Sequence, residues 1–296
     1  MIYIDLGNGE TKIWGEDNKY HSFRSTVVYN RHLYQQTDNV YAVECEGVNM
    51  VIGAADGNTF PGSRRYDREE YLMCLLTAIA IGSNGKKMIQ ADIKLNLPIM
   101  LYQNEDFYNK LACFTKIRNK SITINGETYN ITINSVQPLP EGMVLQVLEE
   151  NKFKNKRNLF IDLGYETVDI MAAMDSTIEL IETIDFGINK LYKHIANLLN
   201  CPFSTVEYYF RDTKNAVINY SEYDFSEEKT AAVKWYSAEI IEKLEDLINL
   251  SSVNAVYLIG GGAEICFRDL KKMLKNQVHK MPNPSFQNVD IFQVLE

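Results

Sequence analysis

Two aspartates that end apolar segments in the same local pattern are the residues best suited to chemistry. Asp5 lies in residues 4–13 (IDLGNGETKI), and Asp162 lies in residues 161–170 (IDLGYETVDI). A carboxylate at the end of a buried strand is unfavourable unless a cation or hydrogen bonds compensate for its charge. Two such carboxylates in matching positions, combined with phosphates, indicate a magnesium ion held partly through water. The alternative interpretation is that both aspartates only cap turns.

Each copy of the pattern predicts a β-hairpin, because two apolar strands flank a turn that contains glycine. The amide groups of such a tip can surround a phosphate. Lys12 follows the first tip closely enough for its ammonium group to reach a β- or γ-phosphate. The alternative interpretation of Lys12 is a solvent-facing strand residue. The two copies lie about half the chain apart, so we expect two similar domains that open with the same hairpin.

A glycine triplet at 260–262 lies between a strand predicted at 254–259 and a helix predicted to begin at Ala263. Glycine permits close approach of the backbone to a ligand, and a helix N-terminus presents unpaired N–H groups to an anion or a base. The alternative interpretation is a tight strand-to-helix turn.

The segments around these residues alternate between strand and helix patterns, which predicts an α/β protein. Strands are predicted near 1–6, 9–15, 158–163, 167–173 and 177–184. Helices are predicted at 67–81, with Asp67 as the N-cap, at 141–149, at 188–199 and at 226–250. The last of these is the most regular, because its apolar residues follow three- and four-residue steps.

The composition excludes several classes of protein. Of the 296 residues, 46% are hydrophobic and 23% charged, which is typical of a globular chain, and the net charge of −9 disfavours direct binding of nucleic acid or anionic lipid. The five cysteines and four histidines are dispersed, which fits neither a zinc site nor a disulfide framework. No signal peptide is recognised, and the longest apolar run is too short to span a bilayer. We therefore expect a cytoplasmic protein without membrane contact.

Taken in order, these motifs resemble those of the actin-like ATPase superfamily. Residues 4–13 are similar to its first phosphate motif, 160–170 to its second and 259–263 to its adenosine motif, and 138–142 (PLPEG) lie where it places the first connecting helix. The resemblance implies an α/β, actin-like (ribonuclease H-like) fold with two similar domains around a nucleotide cleft.

Within the superfamily, the chain most resembles the plasmid-segregation actins of the ParM type. The resemblance rests on residues 96–99 (NLPI), 139–142 (LPEG) and 283–289 (NPSFQNV). It implies domain I at 1–150, with 276–296 packing back on it, and domain II at 151–275. The small subdomain of domain II is expected to be reduced, because the interval between Gly187 and Gly260 is short.

The resemblance also implies which residues form the site. The expected nucleotide-binding residues are Gly7, Asn8, Gly9, Glu10, Thr11, Lys12, Gly164, Tyr165, Glu166, Thr167, Gly187, Gly260, Gly261, Gly262 and Ala263. Asp5 and Asp162 would organise Mg²⁺ and its waters, and Glu141 would orient or deprotonate the attacking water. The alternative interpretation of Glu141 is a first-turn glutamate favoured by the helix dipole. Tyr165 and Glu166 depart from the superfamily, which usually has small residues there.

The function implied is that of an ATP-dependent filament-forming protein that hydrolyses ATP to control filament disassembly. Its expected ligands are Mg²⁺ and ATP, with GTP as the alternative nucleotide. The expected partners are further copies of the chain and a separate DNA-binding adaptor, in plasmid or DNA segregation. Two alternatives stay open. One is a small-molecule kinase of the same superfamily, and the other is a non-hydrolysing nucleotide-switched scaffold, which the departures at Tyr165 and Glu166 leave open.

Overall fold

The parts of the chain that the computed structural model describes are residues 1–31, 33, 37–60, 62–98, 101, 104–105, 119–142, 153–175, 177–210, 214–218, 220–275 and 277–294. The chain divides into a first unit, Met1–Met143 with Asn288–Glu296, and a second unit, Val144–Gln287. Each unit has its own hydrophobic core.

The described strands of the first unit form one mixed sheet. They are β1 (Ile2–Leu6), β2 (Glu10–Trp14), β3 (Tyr20–Arg24), β4 (Val27–Tyr29), β5 (Tyr41–Cys45), β6 (Val48–Ile52), β7 (Met88–Leu97), β8 (Lys120–Ile124) and β9 (Glu127–Pro140), in the order β3-β2-β1-β7-β9-β8-β5-β6-β4. Strand β1 is antiparallel to β2 and parallel to β7, which in turn is parallel to β9. The carboxyl ends of β1, β7 and β9 therefore lie side by side.

The second unit repeats this arrangement. Its strands are β10 (Arg157–Leu163), β11 (Val168–Met174), β12 (Thr177–Ile184), β13 (Asn215–Ile218), β14 (Ser221–Asp224), β15 (Ala255–Ile259) and β16 (Gln277–Lys280). Five of them form a sheet in the order β12-β11-β10-β15-β16, and β13 pairs with β14 separately. As in the first unit, a three-stranded antiparallel meander is followed by parallel strands. The predicted α/β architecture, with two similar domains that open with the same hairpin, is confirmed.

The helices in the described residues are α1 (Glu69–Gly82), α2 (Ile188–Leu198), α3 (Phe203–Tyr209), α4 (Ser226–Leu247), α5 (Gly261–Met273) and α6 (Gln287–Val294). Helix α1 is buried along most of its length because it is apolar on nearly every side. Among these helices none is long and apolar enough to cross a membrane. The four cysteines in the described segments are free.

Three helix boundaries differ from the sequence-based expectation. Asp67 does not cap α1, because it belongs to a 3-10 segment, Ser63–Asp67, and the helix begins after the extended residue Arg68. Helix α5 begins at Gly261 rather than Ala263, so two of the glycines form part of its first turn. In the helix predicted at 141–149, Glu141 and Gly142 form a turn, and the remaining residues lie outside the described ones.

The C-terminal helix is held to the first unit by polar contacts from two strands of that unit, β7 and β3. The buried ammonium group of Lys94 donates to the carbonyl of Phe292 at 3.0 Å. The Tyr20 hydroxyl donates to the carboxylate of Asp290 at 2.5 Å. The sheet that carries the first hairpin is therefore tied to the chain's C-terminal residues.

Candidate functional site

Asp5 and Lys12 face each other across the first hairpin. The register pairs Asp5 on β1 with Lys12 on β2, and Lys12 Nζ lies 3.4 Å from Asp5 Oδ2. Only 12% of the lysine side chain and 5% of the aspartate side chain are exposed, and an attraction between charges strengthens when water is excluded. The cation that a buried Asp5 requires therefore comes from its own hairpin, and Lys12 is not a solvent-facing residue.

The tip of this hairpin is closed by its own backbone. Gly7 N donates to Glu10 O at 3.1 Å, and Ser25 N donates to Gly9 O at 3.1 Å. The hydroxyl groups of Thr11 and Ser25 lie 2.9 Å apart. These bonds fix the turn and leave it little freedom to rearrange.

Two side chains at the tip are held from outside the turn. The Arg65 guanidinium donates to Asn8 Oδ1, and the Ser22 hydroxyl donates to the Glu10 carboxylate at 3.0 Å. The Glu10 carboxylate is therefore engaged by β3, and Asn8 is engaged by a residue of the 3-10 segment.

Glu141 lies at the carboxyl end of β9 and is linked to the first hairpin by Asn96. The Glu141 backbone N donates to Leu97 O at 2.8 Å, and Asn96 Nδ2 donates to the Glu141 carboxylate. Asn96 Oδ1 accepts from the backbone N of Leu6 at 2.7 Å. Because that N–H can only donate, it fixes the orientation of the buried amide and leaves the NH₂ group for Glu141. Asn96 thus holds the Glu141 carboxylate in place.

The second hairpin places two acidic residues opposite each other. The register pairs Asp162 on β10 with Asp169 on β11, and cross-strand partners have their side chains on the same face. Asp169 is 8% exposed and accepts a hydrogen bond from the Thr183 hydroxyl at 2.5 Å. Burial raises the pKa of Asp169, while hydrogen bonds from Thr183 and Thr167 oppose that rise. This pair of carboxylates would gain from a nearby cation.

The loop of the second hairpin is bound to the start of α2. The carbonyls of the loop accept hydrogen bonds from the first amides of the helix: Glu166 from Gly187, Gly164 from Ile188 and Tyr165 from Asn189, at 2.8, 3.0 and 3.0 Å. A Cβ at position 187 would lie 2.3 Å from Tyr165 O, so only glycine permits this approach. Gly187 therefore holds the loop, and these amides already have partners.

The two residues that depart from the family pattern both have partners within the second unit. The Glu166 carboxylate accepts from Asn189 Nδ2 at 2.7 Å. Burial and the neighbouring Glu207 raise the pKa of Tyr165, so the phenol stays neutral. Because Asn189 engages the Glu166 carboxylate, that charge is directed at α2.

The glycine triplet begins with a backbone conformation that other residues avoid. Gly260 has φ 80° and ψ 169°, a region populated almost only by glycine. A Cβ at this position would lie 2.2 Å from Asp162 Oδ1. Gly260 therefore packs directly against the carboxylate of Asp162, near the end of β10.

A cavity of about 460 Å³ opens at the first turn of α5. Its lining combines aromatic, aliphatic, charged and glycine residues: Phe210, Lys229, Val233, Gly261, Glu264, Ile265 and Ser285. Lys229 Nζ donates to Phe210 O and lies 4.5 Å from the centre of the Phe210 ring. The volume and the mainly apolar walls are typical of a site for a small organic molecule.

The described side chains do not form a complete metal cage. In this part of the chain no group of three or more His, Cys, Asp or Glu residues is arranged to hold a metal ion. The pair Asp162 and Asp169 nevertheless offers hard oxygen donors on one face of a hairpin. Mg²⁺ is commonly held by one or two carboxylates, with water and phosphate oxygens as the other ligands. The second hairpin fits that mode of binding.

The sequence alone predicted the hairpins but missed three polar residues around them. Asp169 lies in the repeated motif, at the position that Lys12 occupies in the first copy, and this alignment was the available signal. Asn96 lies in the recognised segment 96–99, but its contact with Glu141 was not predicted, because a polar residue within a strand pattern usually faces solvent. Arg65 lay in no recognised motif.

Two family models match the chain. Residues 4–143 match the model "Actin like proteins N terminal domain", and residues 160–272 match "Archaeal actin homologue MreB-like, C-terminal". No curated protein matches the chain in sequence. The two matches begin at the first strands of the two hairpins.

Solved structures share the fold over nearly the whole chain. A non-polymerisable quadruple mutant of pCBH ParM has a TM-score of 0.78 at 20% identity, covering 98% of this chain and 96% of its own. The archaeal actin homologue Ta0583 in complex with ADP has a TM-score of 0.77 at 18% identity, covering 99% and 100%. A 15-stranded ParM filament from Clostridium botulinum has a TM-score of 0.75 at 19% identity, covering 98% and 96%.

Proposed function

Because the chain belongs to the actin-like proteins, we propose that it binds ATP with Mg²⁺, assembles into filaments and hydrolyses ATP to time their disassembly. The observation that supports this most is the pair of matching hairpins, with Asp5 and Asp162 at equivalent strand ends. Glu141, held by Asn96 beside the first hairpin, adds a carboxylate suited to acid–base chemistry.

The two hairpins are proposed to divide the phosphate and metal contacts between them. Lys12 has three N–H donors, so it can contact a phosphate oxygen while it remains close to Asp5. Asp162 would hold Mg²⁺, with Asp169 beside it. When bound, the ion neutralises charge that develops on the phosphate oxygens.

Glu141 is proposed to act as the general base. As a carboxylate it can accept a proton from the water that attacks the γ-phosphate. Asn96 restricts its side chain to one orientation, because the amide is itself fixed by Leu6 N. A base held in this way loses little entropy when the reaction begins.

The cavity beside α5 is the proposed site for the nucleoside. Gly261 belongs to its wall and follows Gly260, which packs against Asp162. A base in the cavity would therefore lie near Asp162, the residue proposed to hold the metal. Phe210 and Val233 supply apolar surface for a planar ring.

A separate DNA-binding adaptor is proposed to connect the filament to DNA in a segregation system. Among the relatives are filament structures, including the ParM filament from Clostridium botulinum and the Alp12 filament. This chain has a net charge of −9, so the charge for binding DNA would come from another protein.

Light scattering and phosphate release, recorded on the same sample, test this function. Assembly above a threshold concentration with ATP and Mg²⁺, followed by phosphate release and disassembly, is the expected result. A chelator should abolish both signals. Turnover that rises linearly with protein, without assembly and only with an added small acceptor, would instead identify a kinase. Assembly without phosphate release would identify a non-hydrolysing scaffold.

The variant Asp162→Ala tests the site itself. We expect weaker Mg²⁺-nucleotide binding and no ATP-dependent assembly, with an unchanged circular dichroism spectrum. Asp185→Ala, which removes an exposed carboxylate from the same unit, is the matched control. Wild-type nucleotide affinity in Asp162→Ala would remove this residue from the site.

A further inference from the structure

Arg65 is a buried arginine beside the tip of the first hairpin. It is 5% exposed, and its Nη1 donates to the side chain of Asn8. Its guanidinium carbon lies 5.2 Å from the ring centre of Tyr66 and 5.3 Å from that of Tyr71. The cation therefore lies among two aromatic rings, the Tyr71 hydroxyl and a neutral amide.

Arg65 has no carboxylate at ion-pair distance in the described part of the chain, although Glu141 and Glu70 act on the side chains that surround it. Among those residues it donates a hydrogen bond to the neutral side chain of Asn8, and its buried Nε has no hydrogen-bond partner. An arginine cannot lose its proton in a protein, and an uncompensated buried charge is strongly unfavourable. Lys12 differs in this respect, because Asp5 neutralises it. The Nε–H of Arg65 is therefore left for an acceptor beyond the described residues.

We infer that Arg65 is a second phosphate-binding cation of the first hairpin, in addition to Lys12. Its planar fork of donors matches the geometry of phosphate oxygens. Asn8, which it contacts, lies at the hairpin tip proposed to bind the phosphates. Asn8 then serves as a neutral partner of the guanidinium while no phosphate is bound. This inference rests on the proposed function, since it names a further ligand of the same nucleotide.

The test compares nucleotides with different numbers of phosphates. Affinities for ATP, ADP and AMP, each with Mg²⁺, are measured by calorimetry for the wild type, Arg65→Gln and Arg65→Lys. Arg68→Gln is the matched control, because Arg68 is exposed and lies three residues further along the chain. Circular dichroism and the unfolding temperature establish that each variant is folded.

Loss of a charged hydrogen-bond donor should weaken ATP binding by about 10- to 100-fold in Arg65→Gln. The loss should be smaller for ADP and smallest for AMP, because fewer phosphates remain to be bound. Arg65→Lys keeps the charge without the fork and should lie between Arg65→Gln and the wild type. Arg68→Gln should bind all three nucleotides normally.

Two results would overturn the inference while leaving the proposed function intact. One is that both Arg65 variants bind ATP as tightly as the wild type. The other is an equal loss of affinity for all three nucleotides, which would mean that Arg65 only supports the hairpin. If the wild type bound no nucleotide, the proposed function would fail, and this inference would fail with it.

Discussion

The same register position carries opposite charges in the two hairpins. Asp5 faces Lys12 in the first hairpin, and Asp162 faces Asp169 in the second. The first pair is neutral as a whole, whereas the second has two acidic groups. A neutral pair tolerates an approaching phosphate, and an acidic pair attracts a divalent cation. A difference of one side chain therefore suits the two copies to different ligands.

The pH dependence of stability should report the burial of Asp169. Burial raises the pKa of Asp169 above its ordinary value near 3.8, so the folded protein holds this proton more tightly than the unfolded chain does. The protonated Asp169 side chain therefore contributes its full stabilisation below pH 3.8. This stabilisation is lost as the pH rises through the raised pKa of the folded state. In Asp169→Asn, which keeps an acceptor for Thr183, this loss should disappear.

Urea unfolding of the wild type and Asp169→Asn between about pH 3.5 and 8 measures this pH-dependent loss of stability. The range starts slightly below the ordinary aspartate pKa of about 3.9. The stability of the variant relative to the wild type should rise with pH and then level off. Asp185→Asn, at an exposed position, should show a much smaller change. A constant difference across the range would mean that Asp169 has the same pKa in both states.

Replacing Glu141 should separate assembly from hydrolysis. In Glu141→Gln the side chain keeps an oxygen that can accept from Asn96, but it can no longer take a proton from water. Loss of a positioned general base typically slows a reaction by about 10²- to 10⁴-fold. The variant should bind ATP and assemble, release phosphate slowly and form filaments that outlast those of the wild type. Phosphate release at the wild-type rate would end the catalytic assignment.

At the scale of elements, the features that could be predicted from the sequence were those encoded by a few neighbouring residues. The repeated Asp-Leu-Gly and its flanking apolar residues predicted both hairpins, because alternation and turn residues act over a few positions. The link from Leu6 through Asn96 to Glu141 joins three strand ends that are 45 or more residues apart. The cavity likewise combines α4, α5 and Ser285. No local pattern encodes such contacts, so these parts of the site required the structure.

Gly260, in the turn between β15 and α5, should tolerate substitution poorly. Gly260→Ala would place a Cβ against Asp162 Oδ1 and in a backbone region that alanine avoids. We expect the free energy of unfolding to fall by about 2 kcal/mol or more, because backbone strain and overpacking add. Nucleotide affinity should fall as well if Asp162 is displaced.

Gly62→Ala is the matched control for this effect. Gly62 has φ 92° and ψ 171°, close to the values of Gly260, but no atom lies within 4 Å of the Cβ it would acquire. This control carries the backbone strain without the steric clash. Equal losses of stability in the two variants, measured by urea unfolding, would mean that contact with Asp162 contributes nothing.

At the scale of the molecule, several lysine and arginine side chains form ion pairs with nearby carboxylates. Ion pairs on the surface of the two units include Lys86 with Glu16, Lys87 with Glu127, Arg31 with Asp56, Arg157 with Glu179 and Lys280 with Glu264. With nine more acidic than basic side chains in the chain, the field around the protein is negative on average. Such a surface attracts cations and repels polyanions.

The purified protein should therefore leave duplex DNA unbound at about 150 mM salt, close to physiological ionic strength. Binding of DNA at this salt requires many phosphate contacts by Lys and Arg, and each releases a counterion from the duplex. Because the net charge of the chain is −9, the average field around the protein opposes such contacts with a polyanion. A mobility-shift titration, with and without ATP and Mg²⁺, measures this directly. Retardation of bare DNA at micromolar protein or below would show that the chain binds DNA without an adaptor. Retardation only after a basic partner protein is added is the outcome that a segregation filament requires.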